Sequence, residues 1–188
     1  MNNPTIFREG YVIRNQQAPH FLTFTICGWI DLFTRKTYRD IIIESLKYCN
    51  KNKGLNLHAF VIMSNHIHLI ASTTSPFKLS DFVRDFKAFT HREMIKIILS
   101  EEESRRHWML HQFKYYGNRN SNNENYQIWI QDNHPIELLS EEVFYTKLNY
   151  IHQNPVRAGY VEDEKHYIYS SASNYAQEKG IIDIDFLN

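Results

Sequence analysis

At 188 residues and a formal net charge of zero, the chain has the size of one domain with a real core, and it lacks the global positive field of a general nucleic-acid binder. A nucleic acid would have to be met by a local basic patch and by aromatic surfaces, for which 12 Tyr, 12 Phe and 3 Trp supply material. Cys27 and Cys49 form no C-x-x-C pair, which excludes a disulfide framework and fits buried thiols in a reducing compartment. No apolar run approaches a membrane span, and Met1-Asn2-Asn3-Pro4 lacks the basic-then-apolar pattern of a secretory signal, so a cytoplasmic location is expected.

In chain order, His20-Phe21-Leu22-Thr23-Phe24-Thr25-Ile26 alternates aromatic or branched residues with threonines and reads as a strand. Thr37 is a candidate cap for a helix from about Tyr38 to Asn50, with Ile41, Ile42, Ser45, Leu46 and Cys49 as its core stripe. Lys51-Asn52-Lys53-Gly54 ends it. Two apolar runs follow, Leu57 to Met63 and Ile67 to Ala71, joined by the polar break Ser64-Asn65, which predicts a hairpin. After Ser75-Pro76 a second helix is predicted from about Leu79 to Leu99. Its apolar stripe is Leu79, Phe82, Val83 and Phe86, and Arg84, Lys87 and His91 share another face.

The charged run from Glu101 to His107 predicts an exposed helix end. Residues 117–125, rich in asparagine, predict a mobile loop within the domain. Tyr126-Gln127-Ile128-Trp129-Ile130-Gln131 resumes strand alternation, and Asp132-Asn133-His134-Pro135 reads as a turn. Ser140 is a candidate N-cap for a last helix carrying Phe144, Leu148 and Ile151, with Pro155 placing Asn154 at or near its end. The tyrosine-rich C-terminal tail is expected to pack back on the domain. The order strand, helix, strand, strand, helix, strand matches a βαββαβ plan with an extra helix.

His66-Ile67-His68 follows the hairpin turn. With a side-chain period of two, both imidazoles leave one sheet face, a start for a divalent-metal site that a third ligand from elsewhere would have to complete. The same pair could equally line a polar sheet face. Tyr150 and Asn154 share one face of the last helix, whereas His152 points away and reads as a surface or packing residue.

Two separated blocks, Ile62-Met63-Ser64-Asn65-His66-Ile67-His68-Leu69 and Tyr150-Ile151-His152-Gln153-Asn154-Pro155-Val156-Arg157-Ala158-Gly159, together resemble the single-tyrosine HUH transposases, most closely the REP-associated tyrosine transposase group. The helix segment Arg84 to Thr90 and Ser170-Ser171-Ala172 are similar too, so the resemblance spans roughly residues 19–175. It implies a ferredoxin-like α/β (α+β) domain: a βαββαβ chain with a central antiparallel sheet and an added C-terminal nucleophile helix, one domain over residues 1–188. It implies Tyr150 as nucleophile, with His66, His68 and Asn154 as ligands of Mg²⁺ or Mn²⁺. The implied activity is nicking and strand transfer on single-stranded DNA beside hairpins, REP palindromes among them, through a 5′-phosphotyrosine. Arg84, Lys87, Thr90, Trp129 and Arg157 are the expected DNA contacts, and the assembly is a monomer or a homodimer.

Two alternatives stand beside this expectation: a metal phosphodiesterase that activates water, and a DNA-binding relic that no longer cuts. A TIM-barrel amidohydrolase, another home of His-x-His, is disfavoured by the short chain.

Overall fold

The computed structural model describes residues 12–100, 103–119, 125–131 and 133–187. Strand β1 (His20–Thr25) leads through two single 3₁₀ turns to helix α1 (Lys36–Asn52). The hairpin β2 (Leu55–Ile62) and β3 (His66–Thr73) follows, and then α2 (Leu79–Leu99), α3 (Arg106–Gly117), the two-residue strand β4 (Ile136–Glu137), α4 (Glu141–Arg157) and the short α5 (Ala172–Tyr175). The four strands form one antiparallel sheet in the order β2-β3-β1-β4, the arrangement expected of a βαββαβ chain.

Alternation along the strands divides the core in two. Leu22, Phe24, Ile67 and Leu69 face α1 and α2, with Tyr38, Leu46, Phe82 and Phe86 packed on them. Phe21 and Ile70 point the other way and, with Ala59, Val61 and Met63, meet Phe144, Leu148 and Ile151 of α4. A bulge at His58 makes this division possible in β2: the pairing steps from Leu57 opposite Ala71 to Ala59 opposite Ile70. One extra residue reverses the parity, so Leu57 before it and Phe60 after it both face the larger core.

Several sequence expectations need correction. Helix α1 begins after Arg35, with no side-chain cap, so Thr37 is not the cap. Glu103 belongs to no exposed helix end; it is 3% exposed and accepts hydrogen bonds from the Tyr38 hydroxyl (2.8 Å) and the Arg105 amide (2.9 Å). The charge at Glu103 had suggested solvent, yet the phenol and the guanidinium groups of Arg35 and Arg105 give the carboxylate its partners. The chain then forms α3, which the sequence reading omitted. The expected strand around Trp129 is a single bridge to Ile26, flanked by bonds from the Cys27 amide to the Ile128 carbonyl and from the Ile130 amide to the Thr25 carbonyl. The regular fourth strand comes after the turn instead. Most of the expected mobile loop, residues 120–124, lies outside the described residues.

Ser140 does cap α4, accepting from the Val143 amide at 3.3 Å, but the helix runs through Pro155 to Arg157. Pro155 lacks the N–H that would bond back one turn, and nearby the Asn154 and Arg157 side chains donate to the Tyr150 carbonyl at 3.2 and 2.9 Å. The tail packs back as expected. Residues 169–171 cover the β2 edge through the Ile62 amide on the Tyr169 carbonyl and the Ser171 amide on the Phe60 carbonyl, so that edge is no template for another chain. No helix among the described residues is long and apolar enough to cross a membrane.

Two expected outcomes follow from these buried polar groups. Burial works against the Glu103 charge, but the Arg105 amide, the Tyr38 hydroxyl and the two guanidinium groups outweigh it and hold the carboxyl below its ordinary range. Tyr38→Phe removes one of those donors and should lower the unfolding free energy by about 1–3 kcal/mol, read as a lower urea-unfolding midpoint; an unchanged midpoint would show that the bond carries no stability. His58 donates from Nδ1 to the Asp185 carbonyl (2.6 Å) and accepts at Nε2 from the Ser72 hydroxyl (2.8 Å), and burial pushes its pKa below the ordinary 6.5. Its neutral form therefore stabilises the fold fully above the unfolded-state value and progressively less as the pH falls below it. The stability gap between the wild type and His58→Gln should narrow below about pH 6.5, by up to about 1.4 kcal/mol per pH unit. A gap constant from neutral to mildly acidic pH would refute this.

Candidate active site

The hairpin turn places His66 and His68 at the start of β3 on the α4 side of the sheet, their ring centroids 4.8 Å apart. Opposite them across β1 stand Thr25 and Thr23, respectively. Thr23 Oγ1 lies 2.9 Å from His68 Nδ1, and the Phe21 ring stacks on His68 at 5.1 Å. His66 Nδ1 lies 2.8 Å from Asn65 Oδ1.

The orientation of the Asn65 amide is settled by its other end. Asn65 Nδ2 donates to the Trp29 carbonyl (3.2 Å) and to Asp31 Oδ1 (3.3 Å), both acceptors. The oxygen must then face His66, so Nδ1 carries the proton and Nε2 keeps its lone pair. Nε2 of neither histidine bonds to a described residue. Burial lowers the pKa of both rings. For His68, burial, the neighbouring His66, and the charges of Lys147 and Arg157 together push it down to about 3. Both rings are thus neutral, the form that binds metal.

Helix α4 brings the rest of the site. Its apolar stripe is buried on β2 and β3, which leaves Tyr150 on the flank, 41% exposed, with its ring 5.3 Å from His68 and 5.9 Å from Phe21. The Arg157 guanidinium lies 4.8 Å from the Tyr150 ring centroid; Lys147 Nζ lies 5.9 Å from it and 4.9 Å from that of Phe21. Lys147, Tyr150, Asn154 and Arg157 follow one another at intervals of three and four residues, so one flank of α4 carries two cations, a phenol and an amide. The Asn154 Nδ2 is engaged with the Tyr150 carbonyl, so the donor atom this side chain can still offer is Oδ1.

Among the described residues no group of three His, Cys, Asp or Glu side chains is placed to hold a metal ion. A protein ligand beyond the two histidines would have to be of another kind, and the Asn154 amide oxygen is of that kind. Two imidazole nitrogens and an amide oxygen are a donor set that suits Mn²⁺ and tolerates Mg²⁺.

The remaining expected DNA contacts separate. Arg157 is exposed beside Tyr150. Arg84 is exposed too, but it is paired with Asp81 and Asp85 on α2, which packs on the opposite face of the sheet. Lys87 Nζ is spent on the Ile130 and Gln131 carbonyls and on Asn133, tethering the segment after α3. Thr90 is 0% and Trp129 4% exposed, and the indole N–H donates to the Thr90 hydroxyl at 3.0 Å. Neither can offer a face to DNA, which corrects the expectation for both: the alternation around Trp129 marks a core residue. His152 is a packing residue, 8% exposed, with Nε2 2.9 Å from the Ser171 hydroxyl.

Three further residues stand beside the histidines and Tyr150 in the structure. Lys147 lies three residues before Tyr150 and was legible from helical spacing. Asn65 belongs to the polar break and to the first motif block, but nothing in the sequence shows its amide reaching His66. Trp29 gave no signal: it sits in a 3₁₀ turn, yet it is 64% exposed with its ring 6.2 Å from that of His66.

Residues 23–133 match the family model described as "Transposase IS200 like"; the matched segment contains both histidines and ends before α4. No curated protein matches the chain. Among solved structures, the chain is similar to a REP-associated tyrosine transposase bound to a REP hairpin, at a TM-score of 0.59 and 16% identity, covering 100% of this chain and 92% of that one. A candidate transposase from Deinococcus radiodurans R1 is similar at a TM-score of 0.46 and 19% identity over 76% of this chain and 92% of that one. The first of these likenesses is one of fold, the α+β architecture with its four-stranded antiparallel sheet.

Proposed function

The chain belongs to the IS200-like transposase family, and from that premise we propose that it cuts and rejoins single-stranded DNA through a covalent bond to Tyr150. The observation that carries the reading is the placement of the exposed Tyr150 ring against His68, within reach of the cations of Lys147 and Arg157. In the cutting step the Tyr150 oxygen, having lost its proton, attacks phosphorus in line. The P–Oη bond forms, the P–O3′ bond breaks, and the departing 3′ oxygen takes up a proton as a free hydroxyl. The 5′ end remains on the protein as a phosphotyrosine. Because the linkage energy is kept, a 3′-hydroxyl can reverse the exchange on the same or another strand without a nucleotide cofactor.

Lys147 and Arg157 supply charge for the phosphate oxygens on either side of the nucleophile, where a neutral protein surface would offer little. Phe21 and His68 pack edge-on against the Tyr150 ring and limit its movement. His66 and His68, with Asn154, would hold a divalent cation, and Thr23 and Asn65 hold the imidazoles that would bind it. When bound, such a cation polarises the non-bridging oxygens of the scissile phosphate. The substrate proposed is single-stranded DNA beside a hairpin, by analogy with the REP hairpin held by the structural relative.

Labelled single-stranded hairpin DNAs from the flanks of the protein's own gene, incubated with Mn²⁺ and run on a denaturing protein gel, test this. A labelled protein band is expected, absent in Tyr150→Phe and in His66→Ala. Cleavage with no band that survives Tyr150→Phe would replace the reading with metal-assisted hydrolysis. Binding with no cleavage on any flanking hairpin would leave a DNA-binding relic. The metal site has its own readout: Mn²⁺ should raise the melting temperature of the wild type but not of His68→Ala, and Asn65→Ala should weaken Mn²⁺ affinity by about 10–100-fold. An Asn65→Ala protein that binds Mn²⁺ as tightly as the wild type would remove Asn65 from the site.

A further inference from the structure

Trp29 is placed at odds with its chemistry. A large aromatic residue favours burial, and both neighbours in the turn that have apolar side chains take it: Cys27 is 2% and Ile30 5% exposed, while Trp29 is 64% exposed. Its backbone is left-handed, φ 55°, directly after Gly28 at φ 68°. A non-glycine residue holds that conformation only where its surroundings impose it, and such positions concentrate at binding and catalytic sites.

The surroundings can be named. The Trp29 amide donates to the Ile26 carbonyl at 3.0 Å, and its carbonyl accepts from Asn65 Nδ2. Gly28 lies on the Tyr116 ring, where an added Cβ would come within 3.1 Å. The turn is therefore clamped from beneath by α3 and from the side by the same amide that orients His66. The clamp holds the indole in the open, its ring 6.2 Å from that of His66 and inclined to it by 64°.

We propose that Trp29 is the platform on which an unpaired DNA base stacks beside the phosphate that Tyr150 attacks. An exposed indole offers a flat apolar face, stacking accepts any base, and the ring is already held in position, so little ordering is needed on binding. Asn65 ties this platform to His66, so that base and phosphate are positioned by one side chain. The proposal rests on the reading of the site as a cutter of single-stranded DNA and adds to it a nucleobase subsite. Trp129, the sequence's candidate for this role, is in the core.

The test measures binding of a fluorescent hairpin oligonucleotide with a single-stranded flank from the protein's own gene, scanned with abasic positions along that flank. Trp29→Ala should bind between about 5- and 150-fold more weakly than the wild type, the range of one lost base stack. Trp29→Phe, which keeps a smaller ring, should retain most of the affinity. The slope of log affinity against log salt should not change, because no phosphate contact is lost. At one abasic position the wild type should weaken while Trp29→Ala does not. If Trp29→Ala binds like the wild type while the wild type still forms its Tyr150 adduct, the platform is refuted and the cutting reading stands. The same holds if every abasic position weakens both proteins alike. If the wild type neither binds nor forms an adduct, both fall together. Equal melting temperatures of wild type and Trp29→Ala are the check that a loss is not one of folding.

Discussion

Everything at the site depends on α4 lying across the β2–β3 face of the sheet. Phe144, Leu148 and Ile151 are buried there against Ala59, Val61, Met63 and Ile70, and each such side chain contributes about 1.5–3 kcal/mol when it leaves water. That burial fixes the rotation of the helix. With the apolar stripe facing down, Lys147, Tyr150 and Arg157 can only occupy the flank beside His68, with Asn154 one turn on from the phenol. A helix held by polar contacts alone could roll; one held by an apolar stripe cannot without exposing it. The position of the phenol is thus a consequence of hydrophobic packing.

The electrostatics of the site follow from the same arrangement. His68 is 5% exposed, between Phe21, His66 and the Tyr150 ring, and within reach of two cations. Each influence disfavours a proton on the imidazole, and Thr23 holds Nδ1 so that Nε2 points away from its own strand pair. His66 reaches the same state by a different route, through an amide whose orientation is dictated by a carbonyl and a carboxylate on the β1–α1 connection. Two histidines two residues apart on one strand are therefore held neutral by different elements, the state that the proposed metal binding requires. The cost lies in the turn at Gly28 and Trp29, whose consecutive left-handed residues bring that connection close enough to reach Asn65.

Much of this was legible without coordinates. Alternation in β1, the polar break of the hairpin, and the 3.6-residue stripes of α1, α2 and α4 are local patterns, and they placed those elements nearly where they lie. The two motif blocks brought His66, His68, Tyr150 and Asn154 into one list, and helix geometry put Tyr150 and Asn154 on one face. The errors share a cause. Trp129 and Thr90 looked available to DNA because alternation and helical spacing report a face without saying what covers it. Glu103 looked exposed because its partners, Tyr38 in α1 and Arg35 just before it, lie more than sixty residues earlier in the chain.

The sequence alone thus decided β1, the hairpin, α1, α2 and α4 and which of their side chains share a face, since these depend on intervals of two, three and four residues. It decided the family as well, through a pattern of residues. Which face is covered, which histidine tautomer is held, and which aromatic residue remains in the open were decided only when distant segments met. The His58 bulge, the Asn65 amide reaching Trp29 and Asp31, and the rotation of α4 on the sheet are long-range contacts. Their energy comes from burial and from hydrogen bonds between residues far apart in the chain, and no local interval encodes them.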